Sequence, residues 1–282
     1  MIPLFSAVLN YPFMLHALIG GLLIASLCSI LSFFVVQRGL SFVGAGIAHS
    51  AFGGLALGVV LNLEPIITGT LFSVIVGILI ASVSRKKRLE VDVAIGIAFS
   101  TSMALGVLMI SNTQGRYFGE LFSYLFGNIL AVSATDLWLI VGLTLIAGGF
   151  LGAFFKELLL VNMHEGIAEA QGVHTGFLHY GLLIALALTV VLSVKLVGVV
   201  MASALLVIPG ATGELLSANY RSILVYAWLT GIASVVLGLG LSYSASWPAG
   251  ATIVTVSAAM FFLALVFSPH RGIIKQHLLS RW

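Results

Sequence analysis

The chain has 282 residues, of which 60% are hydrophobic and only 7% are charged, and its mean hydropathy is +1.19. A water-soluble fold carries far more charge than this, so the composition excludes a soluble enzyme or a soluble binding domain. We attribute the net charge of +3 to membrane orientation and not to a nucleic-acid surface. The sequence therefore predicts an all-α, polytopic integral membrane protein.

Apolar runs of about 20 residues recur along the chain, each long enough to cross a hydrocarbon layer of roughly 30 Å as a helix. They predict a single membrane domain over residues 1–282 with about nine spans. The range is eight to ten, because the apolar stretch within 112–134 is too short to cross and could hold one or two half-helices. The predicted spans are about 13–36, 40–61, 65–83, 92–111, 135–155, 178–194, 196–214, 222–242 and 248–267.

Nine spans sort the basic residues to one side of the membrane. Lys and Arg in short loops favour the cytoplasm, so we expect an external N-terminus and a cytoplasmic C-terminus. Only Arg116 and Lys195 fall on the external side. No basic residue precedes Arg38, so we expect no cleaved signal peptide. The ten residues on the predicted cytoplasmic side are Arg38, Arg85, Lys86, Lys87, Arg88, Lys156, Arg221, Arg271, Lys275 and Arg281.

The second predicted span, SFVGAGIAHSAFGGLALG at 41–58, contains a single ionisable side chain, His49. A polar ring facing lipid is costly, so His49 is expected to face the protein interior or a water-filled passage. Two interpretations stay open: a hydrogen bond to a neighbouring helix, or contact with a metal ion or proton. Residues four apart also form a stripe that permits close backbone approach. The stripe is Gly46, Ser50, Gly54 and Gly58.

Two further segments interrupt the apolar pattern. Pro209 removes a backbone donor from the seventh predicted span and Gly210 loosens the next turn, so a helix break is expected there, or an ordinary proline kink. The longest polar interval, about 156–175, predicts a short cytoplasmic helix at 162–175 with Glu165 and Glu169 on one face and Gly172 as its C-cap. A solvated loop helix is the alternative.

The chain resembles the membrane permease subunit of bacterial ABC importers for zinc, manganese and related divalent metals. The resemblance covers essentially the whole length, and its motifs occur in the order and spacing of that family. They are VVQRGLSFVGAGIAHSAFGGLALG, EVDVAIGIAFS, FSYLFGNILAV, EGIAEAQGV and KLVGVVMASALLVIPGATGEL.

The resemblance implies a homodimer of permeases in the cell membrane, two cytoplasmic ATPase subunits and an extracytoplasmic binding protein that delivers the metal as substrate. It also implies that EGIAEAQGV is the coupling helix that docks on the ATPase. Within it, Ala168 and Ala170 would permit close approach, and Glu165 and Glu169 would pair with basic groups of the ATPase. No Walker A pattern occurs, so the partner chain would use the ATP and this chain is not expected to be an enzyme.

Three positions depart from the family pattern. Many members carry an aspartate four residues before the histidine, and here that position is Ala45. An aspartate frequent in the family is replaced by Asn128, and an often basic position is Gly213 or Glu214. Glu214 is interpreted as an interfacial residue or as a carboxylate ligand. His49 then stands without a near carboxylate, which favours zinc slightly over manganese or iron.

Two other functions stay open: a permease for a metal chelate or other small solute, and an ion-coupled carrier. A carrier needs buried carboxylates in mid-helix, whereas the acidic residues here fall in loops or near predicted helix ends. They are Glu64, Glu90, Asp92, Glu120, Asp136, Glu157, Glu165, Glu169 and Glu214.

Overall fold

The computed structural model describes residues 12–85, 90–111, 127 and 134–268. Every element of regular structure in that part of the chain is an α-helix, which confirms the all-α prediction. In chain order the helices are α1 Pro12–Gln37, α2 Ser41–Val60, α3 Pro65–Arg85, α4 Val91–Ser111, α5 Ala134–Ala153, α6 Phe155–Met163, α7 Glu165–Ala170, α8 Thr175–Val197, α9 Val199–Leu205, α10 Ile208–Leu216, α11 Tyr220–Ala245 and α12 Ala249–Phe267.

The described residues contain seven or eight membrane-crossing helices, against the predicted nine within a range of eight to ten. Seven described helices are each long and apolar enough to cross a membrane, and an eighth span results if α5 and α6, which are bent by 61°, count as one. The predicted span 196–214 is not one helix, because α9 and α10 are separate there. Nine spans are therefore not confirmed, and most of 112–134 lies outside the described residues.

Small residues let α2 pack closely against both α3 and α4. A Cβ added to Gly53 would lie 2.7 Å from the carbonyl oxygen of Ser102 on α4. One added to Gly58 would lie 2.8 Å from the Cα of Pro65 on α3. Distances this short leave no room for a side chain, so the predicted close backbone approach is confirmed. Because α2 lies between α3 and α4, part of the predicted stripe faces each helix: Gly46 lies beside Ile95 of α4 and Gly58 lies beside Pro65 of α3.

Two predicted cytoplasmic residues lie at the same end of the bundle, which we call the basic end. Arg38, directly after α1, donates from Nε to the Oδ1 of Asn162 near the end of α6, at 3.2 Å. The guanidinium of Arg85, at the end of α3, packs against Gly176 in the first turn of α8. The ends of α1, α3 and α6 and the start of α8 therefore meet there.

The last helices also meet at the basic end. The Gln37 side chain at the end of α1 donates to the carboxylate of Glu214 in α10. The Ser268 hydroxyl, just after α12, donates to the carbonyl oxygen of Leu215 at 2.6 Å. Arg221 lies in the first turn of α11, which packs against α10. Of the other predicted cytoplasmic basic residues, those at 86–88, 271, 275 and 281 lie outside the described residues.

Candidate functional site

His49 lies half-buried on α2, and its ring orientation is set by two contacts. Nδ1 lies 2.8 Å from the carbonyl oxygen of Ala45, and the ring meets Phe99 of α4 edge-on with centroids 4.7 Å apart. Because a carbonyl oxygen only accepts, Nδ1 carries the proton, and in the neutral ring Nε2 keeps its lone pair. A hydrogen bond of this kind also fixes the tautomer of a metal-binding histidine.

The ring lines a groove of about 450 Å³ between α2 and α4. Its wall also includes Asp92, in the first turn of α4, which the sequence analysis did not select. The lining residues are Phe42, Ala45, Gly46, His49, Asp92, Ile95, Gly96 and Phe99. The groove therefore brings His49 and the substituted position Ala45 together with a carboxylate from another helix.

The two helices run parallel, and their register sets the spacing of the two polar groups. Gly46 lies beside Ile95 and Gly53 lies beside Ser102, so Asp92 is level with the first turn of α2. At a rise of 1.5 Å per residue, His49 stands about 9 Å further along the axis. The groove therefore offers a cation two polar groups at different levels along its length.

One chain contributes few ligands. Among the described residues, no three His, Cys, Asp or Glu side chains gather where they could hold a metal ion. The groove is open along its side, with Phe42 68% exposed at its rim. The signal for Asp92 was in the sequence, as one of the two acidic residues, with Glu90, in the otherwise apolar motif EVDVAIGIAFS. Its proximity to His49 was not, because that depends on how α4 packs against α2.

The segment predicted as a coupling helix contains α7, which follows an extended residue, His164. Gly172 has a φ of +80°, and the N–H of Val173 donates to the carbonyl of Ala168 at 3.0 Å. The N–H of Gly172 donates to the carbonyl of Glu169 at 2.9 Å. This left-handed ending is the usual glycine C-cap, so the predicted C-cap is confirmed.

One side chain of α7, Ala168, does not face outward as the sequence suggested, whereas Glu165, Glu169 and Ala170 are exposed. Ala168 is 0% exposed and packs inside its own chain, so it offers no space for a partner. The Glu169 carboxylate accepts from the hydroxyl of Thr175 at 2.8 Å. The large apolar side chains that face solvent in this segment are Met163, the last residue of α6, 78% exposed, and Ile167, 49% exposed.

The helix break lies slightly before the predicted position. α9 ends at Leu205 and α10 begins at Ile208, with Pro209 as its second residue, where a missing N–H costs nothing. The hydroxyl of Ser32 on α1 accepts from the N–H of Gly210 at 2.7 Å and donates to the carbonyl of Val207 at 3.2 Å. The N–H of Gly210 is thus satisfied by another helix, and Glu214, half-buried, meets Gln37. Asn128 lies outside the described residues.

The model of the ABC 3 transport family matches residues 10–268. The chain therefore belongs to this family, in agreement with the motifs, and it is an integral membrane protein of the cell membrane.

Its relatives match along nearly their whole length. It is 32% identical over 266 residues to "Manganese transport system membrane protein MntC" of Listeria monocytogenes, covering 94% of each chain. It is 33% identical over 264 residues to "Probable iron transport system membrane protein" of Haemophilus influenzae, covering 93% of this chain and 96% of that one. PsaBC from Streptococcus pneumoniae in complex with Fab has a TM-score of 0.86 and 30% identity, covering 98% of this chain and 100% of that chain.

Proposed function

We propose that this chain is the membrane permease subunit of an ATP-driven importer of divalent transition metal ions, with manganese as its main substrate. The observation that carries the proposal is the groove between α2 and α4, which offers a cation the Nε2 of His49 and the carboxylate of Asp92. Oxygen ligands with an imidazole suit Mn²⁺ and Fe²⁺. The groove occurs in a chain that belongs to the ABC 3 transport family and matches a manganese transport protein over 94% of its length.

We do not propose zinc as the main substrate, although the sequence alone favoured it slightly. That preference rested on an imidazole without a near carboxylate, and Asp92 lines the same groove as His49. The relatives reported above are named for manganese and iron, and neither is named for zinc. Iron is therefore the closest competitor.

The proposed assembly contains two copies of this chain, two cytoplasmic ATPase subunits and an extracytoplasmic binding protein. The open side of the groove and the few ligands in one described chain favour a second copy facing the first. The basic end would face the cytoplasm, where α7 would dock on the ATPase through Met163 and Ile167. This orientation rests on Arg38 and Arg85, which contact the helices on either side of α7, at Asn162 of α6 and Gly176 of α8, and it does not depend on the number of spans.

Reconstitution tests this function directly. The permease, its ATPase and its binding protein are placed in proteoliposomes, and uptake of radioactive manganese is followed with and without ATP. We expect ATP-dependent uptake on which unlabelled manganese competes best, followed by iron and then zinc. Uptake driven by an ion gradient without the ATPase would indicate a secondary carrier. Uptake seen only with a chelated metal would indicate a chelate permease.

The same assay tests the place of His49 in the ion pathway. His49→Ala removes the Nε2 lone pair, and we expect uptake at limiting manganese to fall about tenfold or more. His16→Ala is the matched control, because His16 lies on α1 and does not line the groove. Wild-type uptake by His49→Ala would leave this ring as a structural group packed on Phe99.

A further inference from the structure

The half of α1 at the basic end contacts both the broken span and the segment that leads into α7. On one side, the Ser32 hydroxyl hydrogen-bonds to the backbone of Val207 and Gly210, and the Gln37 side chain hydrogen-bonds to Glu214. On the other side, the next residue in the chain, Arg38, reaches α6. Within seven residues, α1 therefore joins two parts of the molecule that do not follow one another in sequence.

The backbone under Arg38 is tightly held. Gly39 has a φ of +66° and donates to the carbonyl of Val36 at 3.0 Å, and Leu40 donates to the carbonyl of Val35 at 2.9 Å. These bonds form a glycine C-cap that continues α1 rigidly into the turn. A displacement of the Arg38 side chain is therefore passed to α1 and is not absorbed by a loose loop.

The Arg38 side chain is held by the segment that leads into α7. Its Nε donates to Asn162 at 3.2 Å, three residues before Glu165. Burial lowers the pKa of the Arg38 guanidinium, and the carboxylate of Glu165 opposes that shift. Its Nη2 is buried and has no hydrogen-bond partner within the described part of the chain. A buried guanidinium with an unsatisfied N–H contributes little to stability, so we expect Arg38 to have a role other than stabilising the fold.

We propose that Arg38 is a positioning residue that transmits movement of α7, through the end of α1, to the break between α9 and α10. This rests on the proposed function, in which α7 receives movement from an ATPase. Each link is a contact described above: Asn162 to Arg38, Arg38 to the capped end of α1, and Ser32 to the backbone of Val207 and Gly210. Contiguous contacts of this kind can carry coupling, and a double-mutant cycle tests whether they do.

The experiment compares Arg38→Met, Asn162→Ala and the double variant in the reconstituted complex with manganese-loaded binding protein. Met keeps most of the apolar stem of Arg38 and removes the charge, so the permease is expected to fold. Asn162→Ala breaks the same hydrogen bond and leaves Arg38 in place. It therefore still tests the contact if Arg38→Met fails to insert into the membrane. Arg221→Met is the matched control, because Arg221 is exposed at the same end and its hydrogen bond goes to the adjacent Tyr220.

The readout is manganese transported per ATP hydrolysed. We expect Arg38→Met to lower this ratio about tenfold, the size of losing one charge-assisted hydrogen bond, and the double variant to be no worse. Arg221→Met should keep the wild-type ratio. Additive losses in the double variant, or a wild-type ratio in Arg38→Met or in Asn162→Ala, would overturn the role of Arg38. A wild-type complex that transports no metal would instead overturn the proposed function, so the two failures are distinct.

Discussion

At the scale of single residues, the groove divides its ligand chemistry between two helices. His49 supplies nitrogen from α2, with its tautomer set by the carbonyl of Ala45, and Asp92 supplies oxygen from the first turn of α4. The family carboxylate that is missing at Ala45 has a counterpart at about the same level of the groove, on the neighbouring helix. Under the proposed function, the substitution at Ala45 would therefore not remove oxygen ligands from the ion pathway.

Asp92→Asn tests this division of roles. The amide keeps the size of the side chain and removes its charge, so we expect the manganese concentration for half-maximal uptake to rise roughly tenfold, or about 1.4 kcal/mol. Glu90→Gln is the matched control, because Glu90 lies two residues earlier and does not line the groove. Equal effects of the two substitutions would show that only the general surface charge matters.

At the scale of elements, the broken span depends on a hydroxyl from another helix. Pro209 explains why α10 starts where it does, and Ser32 explains how the break is accommodated inside a bilayer, where unpaired backbone groups are costly. The sequence predicted the break from Pro209 and Gly210. It did not predict Ser32, because a serine within an apolar run carries no sign of its partner.

Ser32→Ala should lower the stability of the permease in detergent by about 1–3 kcal/mol, because the N–H of Gly210 loses a buried partner, while the carbonyl of Val207 still accepts from the N–H of Ala211. Ser29→Ala is the matched control: Ser29 is equally buried on α1, and its hydroxyl has no hydrogen-bond partner among the described residues. Thermal unfolding of the two variants makes the comparison. A loss for Ser29→Ala as large as that for Ser32→Ala would contradict the role of Ser32.

The short helix α7 presents a different surface from the one that its sequence suggested. Ile167→Ser removes exposed apolar surface, and we expect it to weaken co-purification of the ATPase while the permease keeps its thermal stability. Ala170→Ser is the control, because Ala170 is an exposed small residue on the same helix. Ala168→Trp should instead destabilise the permease itself, since Ala168 is fully buried. Full ATPase binding by Ile167→Ser would place the docking surface elsewhere.

At the scale of the whole molecule, orientation can be tested at two described loops. Glu64→Cys, between α2 and α3, and Glu90→Cys, before α4, are introduced separately into a Cys28→Ala background. The Glu64 position is expected to react with an impermeant thiol reagent from outside and the Glu90 position from inside, because α3 begins at Pro65 and ends at Arg85 on the basic end. Labelling of both from one side would show that α3 does not cross the membrane.

The sequence by itself determined the class of this protein. Its apolar runs leave no alternative to a helical membrane domain, and motifs in the order and spacing of the family indicated that family. Single glycine and proline residues indicated the C-cap at Gly172 and the break near Pro209. These features are local, because helix periodicity, glycine at positive φ and proline chemistry act within a few residues.

Only the tertiary structure decided which distant side chains meet. The fold places His49 and Asp92 in one groove and joins Ser32 to Gly210 and Arg38 to Asn162, and these residues are 43, 178 and 124 positions apart. Nearly uniform apolar helices give no preferred face from which such neighbours could be inferred, so packing of small residues selects them. For the same reason the sequence assigned Ala168 to a partner surface, whereas the fold buries it within its own chain.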